Sequence, residues 1–245
     1  MIILRIKIII LIILKSFLNI IGLSNRNKII YELVGNPGAG KSTLINFLYS
    51  NEKEEIFINK NRKKIIFFIL TNPFILIYSY YYLNKIIKSF VHDYNKYNKK
   101  QLFQRKLKIY KILILMWFKI KNTKSKLIFI ESIMHQITDQ NICTESLIKI
   151  LIKCYGNPKF SIIFLDLDIN SSMERMSLRG DKINVKDDLT IKRYKKSLAA
   201  FNIIFNFISK NYKKNKFLLK PYKINGGDTI SINCKYLKKI IEINN

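Results

Sequence analysis

Cysteine is too scarce here to build with. The three residues, Cys143, Cys154 and Cys234, are odd in number and fit no metal-binding spacing, which excludes a disulfide-stapled secreted fold and points to a reducing, cytosolic compartment. The two histidines, His92 and His135, form no ligand pair and read as structural or surface groups. Whole functional classes are missing their marks. There is no D-x-x-G or N-K-x-D of a small GTPase, no L-S-G-G-Q-like signature of an ABC ATPase, and no helix-turn-helix, zinc-finger or aromatic RNA-binding motif. Acidic residues number 16 against 44 Lys and Arg, a net charge of +28, but only seven of the basic residues are Arg. With Ile and Asn also abundant, this excess fits an AT-rich coding sequence and a solvated Lys-rich surface better than a nucleic-acid footprint. Internal repeats and clear linkers are absent, and 245 residues suit one domain with a substantial core.

Glycine is also rare, with eight in the chain, yet three of them fall within six residues, in VGNPGAGKST (34–43). Gly35, four intervening residues, Gly40, Lys41 and Ser42 complete the pattern G-x-x-x-x-G-K-S. An apolar run that reads as a strand precedes it, and a helical pattern follows. In that setting residues Gly35, Asn36, Pro37, Gly38, Ala39, Gly40, Lys41, Ser42 and Thr43 bind the cofactor, their backbone N–H groups (Pro37 has none) forming a nest for polyphosphate oxygens at a helix N-terminus. Lys41 is placed to reach the β- and γ-phosphates and Ser42 to ligate Mg²⁺. Pro37 stiffens the loop. The cofactor implied is a nucleoside triphosphate with Mg²⁺; the expectation is ATP, with GTP left open.

Beyond the loop, EEIFIN (54–59) reads as a short strand and 62–122 as mainly helical. KLIFIES (126–132) is a buried strand ending in Glu131; Thr144 caps a helix that stops at Gly156-Asn157-Pro158; KFSIIFLDLD (159–168) is another buried strand. Ser171 with Glu174 is expected to form a capping box. A long helix over 188–212, a strand over 217–224, the turn NGGD and a helix from about Thr229 complete the order. Alternating strands and helices, the strands apolar on both faces, predict an α/β fold with a parallel sheet wrapped by helices. Ligands of such sheets bind at the strand carboxyl ends, where Gly35, Glu131, Asp166 and Asp168 all fall. Either Glu131 or the Asp166/Asp168 pair could supply the Mg²⁺-associated acid. Glu131 could instead accept a proton from an attacking hydroxyl. In MERMSLRGD (173–181), Arg175 and Arg179 lie four apart on one helix face, a spacing suited to charge spread over transferring phosphate oxygens.

The order of phosphate loop, FIES, LDLD followed by R-x-x-x-R-G, a long helix, and NGGDTI before a last helix resembles the thymidylate kinase and deoxynucleoside kinase group over roughly residues 28–243. The resemblance implies a P-loop NTPase of the nucleoside monophosphate kinase-like, three-layer type, transferring the γ-phosphate of ATP to a small-molecule acceptor. It implies Lys41, Glu131, Arg175 and Arg179 as catalytic residues, Ser42 and Glu131 at the metal, a lid over 172–187, an acceptor-side helical region over 60–122, and Asn225 to Asp228 near the base. Ser132 stands where the group usually has Arg, and Asn36-Pro37 where thymidylate kinases have an acid. Nothing in the sequence selects a nucleoside, a nucleotide or a sugar as acceptor, and it leaves room for a homodimer.

Two other readings stay open: an ATPase using Asp166 with a partner's arginine, and a nucleotide-binding module held at a membrane. The apolar residues 1–24, interrupted by Arg5, Lys7 and Lys15, read as an N-terminal helix packed on the 25–245 domain or lying on a membrane surface. Ile65 to Leu83 is uncharged but broken by Asn72-Pro73 and reads as a buried helical region. Thirteen basic residues against Asp93 alone between Lys85 and Lys126 would attract a phosphorylated substrate or an anionic membrane. The location expected is the cytoplasm, with peripheral contact at the inner face of the membrane as an option.

Overall fold

The computed structural model describes residues 27–51, 81, 84–85, 103–104, 107, 109–110, 120, 127–131, 134, 144–180 and 188–244. Four strands form one sheet among them: β1 (Ile29–Val34), β2 (Leu127–Ile130), β3 (Lys159–Asp166) and β4 (Tyr222–Asn225). Every pairing is parallel and the order is β2-β1-β3-β4. The chain therefore leaves β1 toward one side, to β2, and returns past it to β3, so the loop after β1 emerges at a point where connections diverge. Such points are where α/β sheets open a crevice for ligands.

Helices cover both faces, which is why the strands are apolar throughout. Ile30 and Val34 of β1, with Ile128 and Ile130 of β2 and Phe160, Ile162 and Phe164 of β3, pack against α2 (Thr144–Cys154) and α4 (Asp188–Asn211). The alternate residues Tyr31, Leu33, Leu127, Phe129, Ile163 and Leu165 pack against α1 (Lys41–Asn51) and α5 (Ile230–Asn244). The period of two along the strands divides these two cores. One acid breaks the pattern. Glu32 is fully buried, and its carboxylate accepts the Met134 backbone N–H at 2.6 Å and the Tyr155 hydroxyl at 3.3 Å. Those bonds offset the desolvation of a charge in an apolar interior.

Most expected elements fall where the sequence put them. Helix α2 ends as Gly156 and Asn157 turn to positive φ (85° and 59°), their amides bonding to the Lys153 and Ile152 carbonyls, the geometry of an αL helix stop. Each described position between 81 and 120 is helical. The segments 1–24 and 54–59, the Asn72-Pro73 break, both histidines and Cys143 lie outside the described residues. Among those that are described, no helix is long and apolar enough to cross a membrane.

Two expectations fail. Ser171 and Glu174 form no capping box; both lie inside α3 (Ile169–Leu178), whose N-cap is Asp168, extended at φ −60°, ψ 158° and accepting the Ser171 N–H at 2.9 Å. Asp168 stands immediately before the helix and reaches its first free amides before Ser171 can. The last strand is also shorter than 217–224. Pro221 lacks an N–H for a ladder, so 217–220 contributes only an isolated bridge between Leu218 and Phe160 before β4 begins.

Candidate active site

The loop from Gly35 to Gly40 joins β1 to α1 and is wedged between later parts of the chain. Gly35 has φ 148°, and a Cβ there would lie 2.5 Å from the Leu165 carbonyl oxygen of the neighbouring strand. Gly38 has φ 86°, and its Cβ would lie 2.5 Å from the Ser172 carbonyl oxygen on α3. Both positions need glycine for lack of space as well as for backbone angle. Gly226, in the turn after β4, closes the underside, 3.5 Å from the Ala39 carbonyl oxygen for a Cβ placed there. The loop is thus backed by β3, α3 and the β4 turn, and it leads directly into the free amides that open α1.

Lys41 folds over this loop. Its Nζ donates to the Gly35 and Asn36 carbonyls at 2.9 Å each and lies 3.7 Å from Glu131 Oε1. Burial holds the Lys41 ammonium below its usual range; the nearby Glu131 carboxylate pulls it back up, and the Arg179 guanidinium pushes it further down. Ser42, the first-turn neighbour of Lys41, donates its hydroxyl to Glu131 Oε2 at 2.8 Å. The register explains this meeting. Glu32 pairs with Ile130, so the acid after β2 arrives beside the loop that follows β1.

Of the residues proposed from sequence, Lys41, Ser42 and Glu131 come together, and Arg179 is close enough for its charge to act on Lys41. Arg175 goes elsewhere: its Nη1 donates to the Gly226 carbonyl at 2.8 Å. The competing acids are also engaged. Asp166 Oδ2 pairs with Lys223 at 2.7 Å, and Asp168 caps α3, where the bond from Ser171 holds its carboxyl below the usual range. The segment 181–187 of the expected lid lies outside the described residues; 172–180 is helix α3 and its C-terminal turn. In the NGGD turn, Asn225 Oδ1 accepts the Gly227 amide and its Nδ2 donates to Asp228, while Asn233 of α5 donates to the Asn225 carbonyl at 3.1 Å. Cys154 is buried, its thiol pushed up to about 12 by desolvation, and is no nucleophile.

Sequence reasoning missed Ser172, whose buried hydroxyl donates to the Pro37 carbonyl; it placed Asn36 in the loop but not the burial of its side chain, whose two polar atoms are unpartnered. A small polar residue at the start of a helix beside the phosphate loop was the available signal for Ser172. For Asn36 there was none beyond its place in the motif.

A parallel sheet, a glycine loop running from its central strand into a helix, and a Lys–Ser–Glu cluster at the strand ends define a P-loop NTPase domain. Within that class the chain belongs to the KAP family: the family's profile, KAP family P-loop domain, matches residues 12–220. No curated protein matches the chain. Among solved structures it is similar to deoxyadenosine kinase from M. mycoides. The form with bound dCTP is 15% identical, with a TM-score of 0.45 over 87% of this chain and 98% of that one. The form with bound dATP is 16% identical, with a TM-score of 0.43 over 88% and 98%.

Proposed function

We propose that this protein is a phosphotransferase that binds Mg·ATP on Gly35–Thr43 and moves the γ-phosphate to a small hydroxyl or phosphate acceptor. The observation that carries the reading is the contact of Glu131 with Ser42 at 2.8 Å, the same carboxylate lying 3.7 Å from Lys41. A hydroxyl and a carboxylate are the hard oxygen donors Mg²⁺ takes when phosphates and water fill its remaining positions. No cluster of three or more acidic, His or Cys ligands occurs among the described residues, so the set suits a phosphate-borne ion rather than a protein-caged one. Bound there, Mg²⁺ would neutralise charge on the β- and γ-phosphate oxygens.

Lys41 exchanges the Gly35 and Asn36 carbonyls for phosphate oxygens, and the loop amides hold the β-phosphate. Glu131 orients its neighbours and takes the proton that the acceptor hydroxyl loses as its oxygen bonds to phosphorus and the bridging P–O bond breaks. Arg179, beside Lys41, meets the charge on the transferring group.

A second reading, hydrolysis of the triphosphate with water as acceptor, is favoured by membership of the KAP family of P-loop domains. ADP release measured with and without a panel of nucleosides, nucleotides and sugars separates the two. Release that depends on one acceptor supports phosphotransfer. Steady release in the absence of any acceptor selects hydrolysis. Lys41→Ala abolishes both; turnover that survives it overturns the site.

A further inference from the structure

Helix α3 presents one stripe to the phosphate loop. Ser172, Arg175, Met176 and Arg179 fall within an arc of about 100° on a helix of 3.6 residues per turn, and the stripe engages the site at each turn. Ser172 is fully buried, and its hydroxyl donates to the Pro37 carbonyl. Its backbone carbonyl lies against Gly38, where a Cβ would also come within 3.2 Å of Met176 Cγ. Arg175 ties the next turn to the Gly226 carbonyl, and Gly226 packs under Ala39 of the loop. Tyr194 of α4 donates to Met176 Sδ at 2.7 Å, tying the same stripe to a second helix. Two turns from Ser172, at the C-cap of α3, stands Arg179.

A helix pinned at its first turn has its last turn placed by rigid geometry, and an arginine acting on a phosphate must be held to within about 0.5 Å to be useful. We propose that Ser172 is a positioning residue: by binding the Pro37 carbonyl it locks α3 onto the phosphate loop, so that Arg179 is the arginine delivered to the phosphates while Arg175 serves as a strut to the β4 turn. The assignment rests on the phosphotransfer reading for the role of Arg179. The lock itself does not, and its test has one arm independent of turnover.

That arm is hydrogen exchange of the loop peptide spanning residues 36–44. In Ser172→Ala the Gly38–Lys41 amides should exchange about tenfold faster, while Ser177→Ala, at an exposed position off the stripe, leaves them unchanged. Equal exchange in wild type and Ser172→Ala overturns the lock whether or not the protein is a kinase. The second arm is a double-mutant cycle on ATP turnover. Ser172→Ala should lower kcat about tenfold with KM for Mg·ATP held within about twofold. Placed in an Arg179→Ala background, it should cost less than about twofold more. A tenfold loss that persists in that background means Ser172 does not act through Arg179 and overturns the assignment. Arg175→Ala, losing only a strut, should cost less kcat than Arg179→Ala; the reverse order also overturns it. A wild-type protein that exchanges as expected yet turns over no triphosphate removes the phosphotransfer reading and leaves the lock standing.

Discussion

Strands β2 and β3 lie on either side of β1, and both end in carboxylates at the same edge of the sheet. Their fates differ. After β2, Glu131 turns to the phosphate loop and meets Ser42 and Lys41. After β3, Asp166 reaches outward to Lys223 and Asp168 bends back to cap α3. Chemically the groups are equivalent, and in the sequence both strands carry the same sign of a site. What separates them is the next element. Asp168 is followed at once by a helix whose free amides claim it, and Asp166 stands opposite Asn225 on β4, two residues from Lys223. A strand-end acid meets the phosphate loop only where neither the helix that follows it nor a lysine of the neighbouring strand draws it away first.

The contrast predicts three substitutions of unequal weight. Glu131→Gln keeps shape but removes the charge and, on the proposed phosphotransfer, the proton acceptor. It should lower kcat by about 10² or more with the melting temperature nearly unchanged, as steady-state kinetics and calorimetry would show; a loss under threefold would erase the difference between the strands. Asp168→Ala removes the cap of α3. It should lower the melting midpoint by at most about 4 °C and reduce turnover severalfold through a loosened helix. Its carboxyl is held below the usual range in the folded protein. The stability it adds is therefore present above the unfolded carboxylate pKa and is lost as pH falls through the lower, folded one. A pH series of melts should show wild type and Asp168→Ala converging in acid, and a constant gap would contradict the capping role. Asp166→Asn should have the smallest effect. Its pair with Lys223 is 38% and 49% exposed, worth about 0.5 kcal/mol or less, and turnover should stay within twofold; a larger kinetic loss would move the metal-associated acid from β2 to β3.

Sequence patterning located much of this fold. The glycine spacing marked the phosphate loop, apolar runs marked β1 to β3, and α2 and α4 ended within a residue or so of expectation, because local signals such as Gly156-Asn157-Pro158 act on the chain nearby. Non-local facts were out of reach. Strand order decides that Glu131 sits beside Ser42; no spacing encodes it, and only the resemblance to the kinase group had joined the two. Arg175 and Arg179 shared a face and looked interchangeable; only the nearness of the β4 turn assigns the first to Gly226. Glu32 sat within the apolar run IIYELV and passed as one more strand residue, although an acid there announces a buried polar contact. The cap of α3 was misread because two overlapping patterns, D-x-x-S and S-x-x-E, compete, and the one nearer the strand wins.

The loop's consensus is finished by residue 43, but the surfaces that back it are not. Leu165 presses on Gly35, Ser172 holds Pro37, and Gly226 lies beneath Ala39. A nascent chain on the ribosome therefore carries an intact motif long before it has a formed anion cradle. A premature stop ahead of the Leu165 codon would leave a protein that scores as a nucleotide binder by its motif yet lacks every one of the walls that shape the grip.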